Sequence, residues 1–171
     1  MLEHKKNVFK TCWSKGLYLQ AFTHDLSKFS PIEFVNYAKE FHKDEAETNF
    51  HKAWQHHIKK NKHHWQHWLD GDGQPQDIPD KYLKEMVADW EAMAIKFGDS
   101  AQGWYLLHYK EFNLTRNTRL RLEKILGIYH QEKTLEELID EKGEEWWSKS
   151  FGSWIEKKYG FDLIEVLKKE A

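Results

Sequence analysis

An all-α fold follows from three features of the chain. Apolar residues recur at helical spacing along most of its 171 residues, no strand-like alternation lasts long enough to build a sheet, and helix-start signals punctuate the sequence. Hydrophobic residues make up 40% and aromatics 15%, so a packed core is expected despite a mean hydropathy of −0.86. The length fits one domain.

The elements can be justified in order. Residues 3 to 15 place Val8, Phe9, Cys12 and Trp13 at helical spacing, and Gly16 supplies a stop. A short second helix is expected from Leu17 to about Leu26. "SPIEF" marks the next start, with Ser30 as N-cap, Pro31 at the first helical position and Glu33 closing a capping box. Ile32, Phe34, Tyr37, Ala38 and Phe41 give that helix an apolar side. In the following helix Phe50, Ala53, Trp54, His57 and Ile58 have the spacing of a buried stripe. Extended at the same period, the stripe runs through Asn61, His64, Trp65 and Trp68, with Lys59 to Lys62 as the place for a break. "LDGDGQPQDIPD" (69 to 80) is a loop; it falls short of a calcium loop because Lys81 stands where the closing glutamate should be.

A helix is expected from about Asp80 to Phe97, with Leu83, Met86, Val87, Trp90, Met93 and Phe97 as its apolar face, and another over about 115 to 130. The pattern of "GWYLLHY" between them assigns no state. The last forty residues hold a capping box from Thr134 to Glu137, a Trp146–Trp147 pair and an amphipathic segment from about Asp162. The expected organisation is a helical domain over 1 to 130 and a helical extension over 131 to 171 packed on it.

Composition narrows the function classes. A net charge of −2 gives no case for attraction to nucleic acid or membrane. Lysines alternate with aromatics around 52 to 65, but the acidic balance of the chain and of its C-terminal third argues against a dedicated nucleic-acid binder. A single cysteine, Cys12, excludes an internal disulfide and fits a reducing compartment. No apolar run approaches the roughly 18 residues of a membrane span, and "MLEHKKNVFK" lacks the apolar region of a signal peptide, so a cytoplasmic location is expected.

The histidines carry the chemistry. "AWQHHIKKNKHHWQHW" (53 to 68) contains five of eleven. A lone histidine on an apolar face reads as a satisfied core residue, but His57 and His64 share one stripe. Seven residues of unbroken helix would hold them roughly 10 Å apart, so they would serve two ions, or one ion if the helix bends near Asn61. His56 and His63 form a second such pair, rotated off the stripe. "THDLSKF" (23 to 29) adds an imidazole beside a carboxylate that can bridge two cations. His4 lies on the edge of the first stripe. Asp89 lies on an inward helix edge, where a carboxylate needs a lysine partner or a metal.

In order, His4, His24–Asp25, the histidines of 56 to 64 and Asp89 resemble the H…HD…H…H…D signature of the HD-domain superfamily of metal-dependent phosphohydrolases. More narrowly, "HDLSKFSPIEF", "AWQHH…N.HHWQHW" and "EMVADW" look like a family of small uncharacterised bacterial and phage proteins, over about residues 1 to 125. The resemblance implies an HD-like helical bundle. It implies that His4, His24, Asp25 and Asp89 hold a first metal, with Asp25 bridging to a second. For that second ion the candidates are His56, His57, His63 and His64, and helical phase favours His57 and His64. A simple hairpin about Gly16 would leave His4 and His24 out of level.

One or two ions of manganese, iron, zinc or cobalt suit such ligands and would activate water toward a phosphoryl group. The expected activity is hydrolysis of a nucleotide or another small phosphate ester, with Asp25 and Lys28 catalytic. Lys28, Lys62, Arg116 and Arg119 are the candidates for the substrate phosphate, Arg121 is a further cation, and a solvated charged face explains each equally well. Asn61 either orients His57 or a water, or caps its helix. The alternatives are an HD-fold di-iron oxygenase and a non-catalytic metal-binding interaction protein. A homodimer is compatible with either.

Overall fold

The computed structural model describes residues 2–41, 47–128, 132–147 and 149, and they are helical with no strand among them. The first helices are α1 (Leu2–Ser14), α2 (Tyr18–Thr23), α3 (Pro31–Phe41) and α4 (Glu47–Lys60). After them come α5 (Asp80–Phe97), α6 (Ala101–His108), α7 (Arg116–Ile125), α8 (Leu135–Lys142) and α9 (Glu144–Trp147). Short 3₁₀ turns occupy Leu26–Phe29, Trp65–Trp68 and Tyr109–Glu111. "GWYLLHY" therefore lies mostly in α6 and runs into the third of these turns. The segment expected from Asp162 lies outside the described residues.

α5 organises the molecule because it is apolar on two sides. Leu83, Met86 and Val87 enter a large core with Tyr105 and Leu106 of α6, Leu122 of α7, and Leu135 and Ile139 of α8. Ala88 and Ala92 face the other way, into a smaller core with Val8, Cys12, Leu17 and Ala21. Alanines there let α1 lie close along α5, and the Thr11 hydroxyl donates to the Ala88 carbonyl at 2.8 Å. Each fully buried large apolar side chain contributes roughly 1.5–3 kcal/mol, so this double burial fixes both cores to one rod. α8 shares the large core, so no seam in packing separates it from the preceding helices.

Most helix ends follow the chemistry expected of them. Gly16 (φ 73°) turns α1 into α2, and Gly98 (φ 72°) closes α5 with its N–H on the Ala94 carbonyl at 2.9 Å. Thr134 and Glu137 form the capping box of α8. The Ser30 box does not form: Ser30 Oγ has no partner and Glu33 is fully buried on other groups. α3 also departs from its expected apolar side. Ile32, Phe34 and Val35 are exposed, and the helix turns Glu33 inward with the half-buried Tyr37. The predicted stripe of α4 stops at Lys60, where Asn61 Nδ2 donates to the His57 carbonyl at 2.9 Å.

Candidate metal centre

Interruptions in the helices bring the histidines together. His24 lies extended (φ −51°, ψ 126°) just past α2, so the chain reaches back toward the start of α1 in fewer residues than a helix would need. Asp25 is left-handed (φ 57°, ψ 24°), a conformation aspartate accepts more readily than most residues with a Cβ. His4 and His24 thereby come level, their rings 6.0 Å apart. The end of α4 at Lys60 frees His63 and His64 from helical phase. His64 lies 4.7 Å from the His57 ring and 4.2 Å from the His63 ring, where an unbroken helix would have separated His57 and His64 by about two turns.

Asp25 lies between two groups of imidazoles, one carboxylate oxygen toward each. Its Oδ2 is 3.4 Å from His24 Nε2, and Asp89 Oδ1 is 3.4 Å from the same nitrogen and 3.0 Å from His4 Nε2. Its Oδ1 is 3.4 Å from His57 Nε2 and 3.5 Å from His63 Nε2. Donor atoms from Asp25, His57, His63 and His64 lie within 4.8 Å of one another, as do those of His4, His24 and Asp25, and those of His24, His63 and Glu85. Two ligand atoms each about 2.1 Å from an ion are about 3.4 Å apart at a tetrahedral angle.

Apart from the 3.0 Å approach of His4 to Asp89, these separations are long for hydrogen bonds, and atoms of the cluster are left unsatisfied. His4 Nδ1, His24 Nε2, Asp25 Oδ1, His63 Nε2, His64 Nε2 and Asp89 Oδ1 are buried without a hydrogen-bond partner among the described residues. Each such atom costs about 1–3 kcal/mol if it stays unmatched. So many in one place call for a physical reason, and the buried His, Asp and Glu groups could hold a metal ion.

Two carboxylates that sequence reasoning did not place in the site aim its imidazoles. Glu33, fully buried, accepts from His56 Nδ1 at 2.6 Å, from His57 Nδ1 at 2.8 Å and from Ser27 Oγ at 3.0 Å. Glu85 accepts from His24 Nδ1 at 3.1 Å and stands 3.4 Å from His63 Nδ1. A carboxylate on Nδ1 fixes a proton there and turns Nε2 toward the centre. The available signals were faint: Glu33 is one turn from Ser30, and Glu85 is one turn before Asp89. Asn61 donates to Ser27 Oγ at 2.6 Å, which ties the end of α4 to the turn after Asp25.

Charge follows from this geometry. Burial opposes charge on His24, but the surrounding carboxylates of Asp25, Asp89 and Glu85 hold its pKa well above the usual imidazole value. Burial pushes Asp25 and Asp89 up, and His24 beside them brings both well below the usual carboxylate range. His57 and His64 are lowered by burial, and His64 further by His63 and His57. His57 and His64 are therefore neutral donors near pH 7, the form a metal requires.

The remaining expected site residues divide. His63 is 3% exposed and lies within the cluster, although helical phase favoured its neighbour His64. His56 faces outward from it, against Glu33. Lys28 Nζ is 2.5 Å from Asp25 Oδ2 and so is committed to the cluster itself. The other cations expected near a phosphate have partners within the protein. Arg119 is buried and donates to the Tyr105 hydroxyl and to the Tyr109 and Phe112 carbonyls. Arg116 pairs with Glu137 at 2.5 Å, Arg121 with Asp80 at 2.6 Å, and Lys62 lies over the Tyr82 ring. Asp89 has histidine partners rather than a lysine.

A cleft of about 570 Å³ opens beside the cluster, with His63, His64 and Asp89 on its wall. Among the described residues no helix is long and apolar enough to cross a membrane. A family model described as "Family of unknown function (DUF5662)" matches residues 1–139, which include every residue of the cluster. No curated protein and no solved structure matches the chain.

Proposed function

We propose that this chain, a member of the DUF5662 family of unknown function, is a metal-dependent phosphohydrolase with a two-ion site shared across Asp25. The observation that carries the reading is the division of the Asp25 carboxylate, Oδ2 toward His24 and Oδ1 toward His57 and His63. His4 and Asp89 complete the first group and His64 the second. A divalent transition ion bound there supplies an activated water and neutralises charge on a phosphoryl oxygen. Imidazoles with carboxylates suit manganese, iron, cobalt or zinc. The order of these residues along the chain, His4, His24–Asp25, His57, His64 and Asp89, adds the likeness to the HD-domain superfamily.

The residues of the chain have separable tasks in this reading. Glu33 and Glu85 hold the imidazoles in one orientation, so the site is formed before a ligand arrives. Lys28 neutralises Asp25 while no cation does so. The test is elemental analysis of tag-free protein beside Asp25→Asn, followed by phosphomonoester hydrolysis with each metal. The reading expects up to two equivalents of transition metal, lost in Asp25→Asn together with hydrolysis. Iron with oxygen uptake and no ester cleavage would instead favour an oxygenase. No bound metal after reconstitution with each ion would end the metalloenzyme reading.

A further inference from the structure

The cleft beside the cluster has a composition that selects among substrates. Its walls are aromatic: Trp54, Trp65, Trp90, Trp104 and Phe112, with Met93 on the outer side. Trp90, Trp104 and Phe112 touch one another, with ring centroids 4.9 to 5.6 Å apart and ring planes inclined by 47° to 71°, so they form an angled aromatic corner. Its size is that of a pocket for a small organic molecule. Such a corner favours an aromatic partner, which can lie against one ring and meet another edge to face, adding to the gain from leaving water.

Charge on the walls is one-sided. No lysine or arginine among the described residues lines the cleft, whereas Asp99 and Glu111 do, and Asp89 lies at the inner end. Glu111 is held in place by His108 Nδ1 at 2.7 Å. Lys28 and Lys5 border the cluster on another side, where Lys28 is taken by Asp25 and Lys5 by the Phe22 and His24 carbonyls. A polyphosphate chain running along this cleft would meet carboxylates and no cation. Negative charge is acceptable only at the cluster end. Gln66 adds one polar feature, a buried amide oxygen without a partner, able to accept from a hydroxyl or amino group.

We propose that the cleft binds the uncharged aromatic body of a phosphomonoester whose whole negative charge lies at the end facing His63, His64 and Asp89. This rests on the hydrolase reading for its chemistry and on the cleft alone for its aromatic selectivity. Nucleoside di- and triphosphates are excluded as good substrates, as are aliphatic esters with no flat group.

The experiment separates the two dependencies. Binding of 2-naphthol, which has no phosphate, is measured on the metal-free full chain by titration calorimetry. Hydrolysis of 1-naphthyl phosphate, glycerol 3-phosphate and ATP is measured on the reconstituted protein. Naphthol should bind, and Trp104→Ala should weaken that binding at least fivefold. Met93→Glu, at a position 39% exposed and so unlinked to core packing, should weaken it similarly. The kcat/KM for naphthyl phosphate should exceed that for either other ester at least tenfold, and both variants should reduce this preference. Naphthol binding with no hydrolysis of any ester would keep the aromatic site and end the hydrolase reading. Hydrolysis that favours ATP or glycerol 3-phosphate, with no naphthol binding, would overturn the selectivity and leave the hydrolase reading standing.

Discussion

His57 Nδ1 lies 2.8 Å from Glu33 Oε2, and both side chains are almost wholly removed from solvent. A buried carboxylate is costly unless paired, and Glu33 is paired with two imidazoles and a serine hydroxyl. Its position is explained by what it does to His57: with Nδ1 protonated, Nε2 must face Asp25. Glu33→Gln keeps the shape and removes the charge that fixes this tautomer. Metal affinity should fall about 10–100-fold, measured by competition with a chromogenic chelator. Unchanged affinity would mean that Glu33 serves the fold alone.

Metal should stabilise the folded chain. The cluster exists only when α1, α4 and α5 are assembled, so a cation binds the folded state in preference to the unfolded one. At one hundred times the dissociation constant the gain is about 2.7 kcal/mol. For a chain of this length that corresponds to a rise in Tm of about 5–10 °C. Scanning calorimetry with and without zinc or manganese checks this. Asp25→Asn should lose most of the rise, and an equal rise in the variant would place the ion elsewhere.

How much of this was legible in the sequence depended on which forces were local. α5 was readable because Leu83, Met86 and Val87 repeat at helical spacing. The capping box of α8 was readable because Thr134 and Glu137 satisfy each other within one turn. His4, His24, Asp25 and Asp89 were nominated by their order along the chain, and they lie together. His63 was placed behind His64 because periodicity was carried beyond Lys60, where the helix has ended. Glu33 was assigned to Ser30, three residues away, whereas its partners lie 23 and 24 residues away. Long-range pairing has no signature in a local window. The exposed Ile32, Phe34 and Val35 teach the same lesson, since spacing identifies a face but not what lies opposite it.

Metal binding should release a proton. With its pKa raised by Asp25, Asp89 and Glu85, His24 is protonated in the metal-free protein at pH 7. A cation competes with that proton, so affinity should rise with pH until the raised His24 value is passed, and level off above it. Titration calorimetry in two buffers of different ionisation enthalpy should give about one proton released per cluster at pH 7. His57 and His64, lowered by burial, add none at that pH. Zero release would mean that His24 is neutral before the metal arrives.

Glu123 supplies a pH dependence remote from the cluster. Its carboxyl is buried between α7 and α8, accepting from the Tyr105 hydroxyl at 2.8 Å and from the Leu135 N–H at 2.9 Å. Burial outweighs these donors and the nearby Arg119, and pushes its pKa from the ordinary 4.5 up to about 7. Between those values the folded chain holds a proton that the unfolded chain has lost. Stability therefore falls as pH rises through this window, and is unaffected by Glu123 below it. The shift corresponds to about 3 kcal/mol. Glu123→Gln mimics the protonated form at every pH, so urea unfolding should show the variant gaining on the wild type by about that amount between pH 4 and pH 8. Because the metal cluster is common to both proteins, its own titration cancels in the difference. Parallel curves would show that Tyr105, Leu135 and Arg119 fully offset the burial, and a variant that loses ground as pH rises would show that they exceed it.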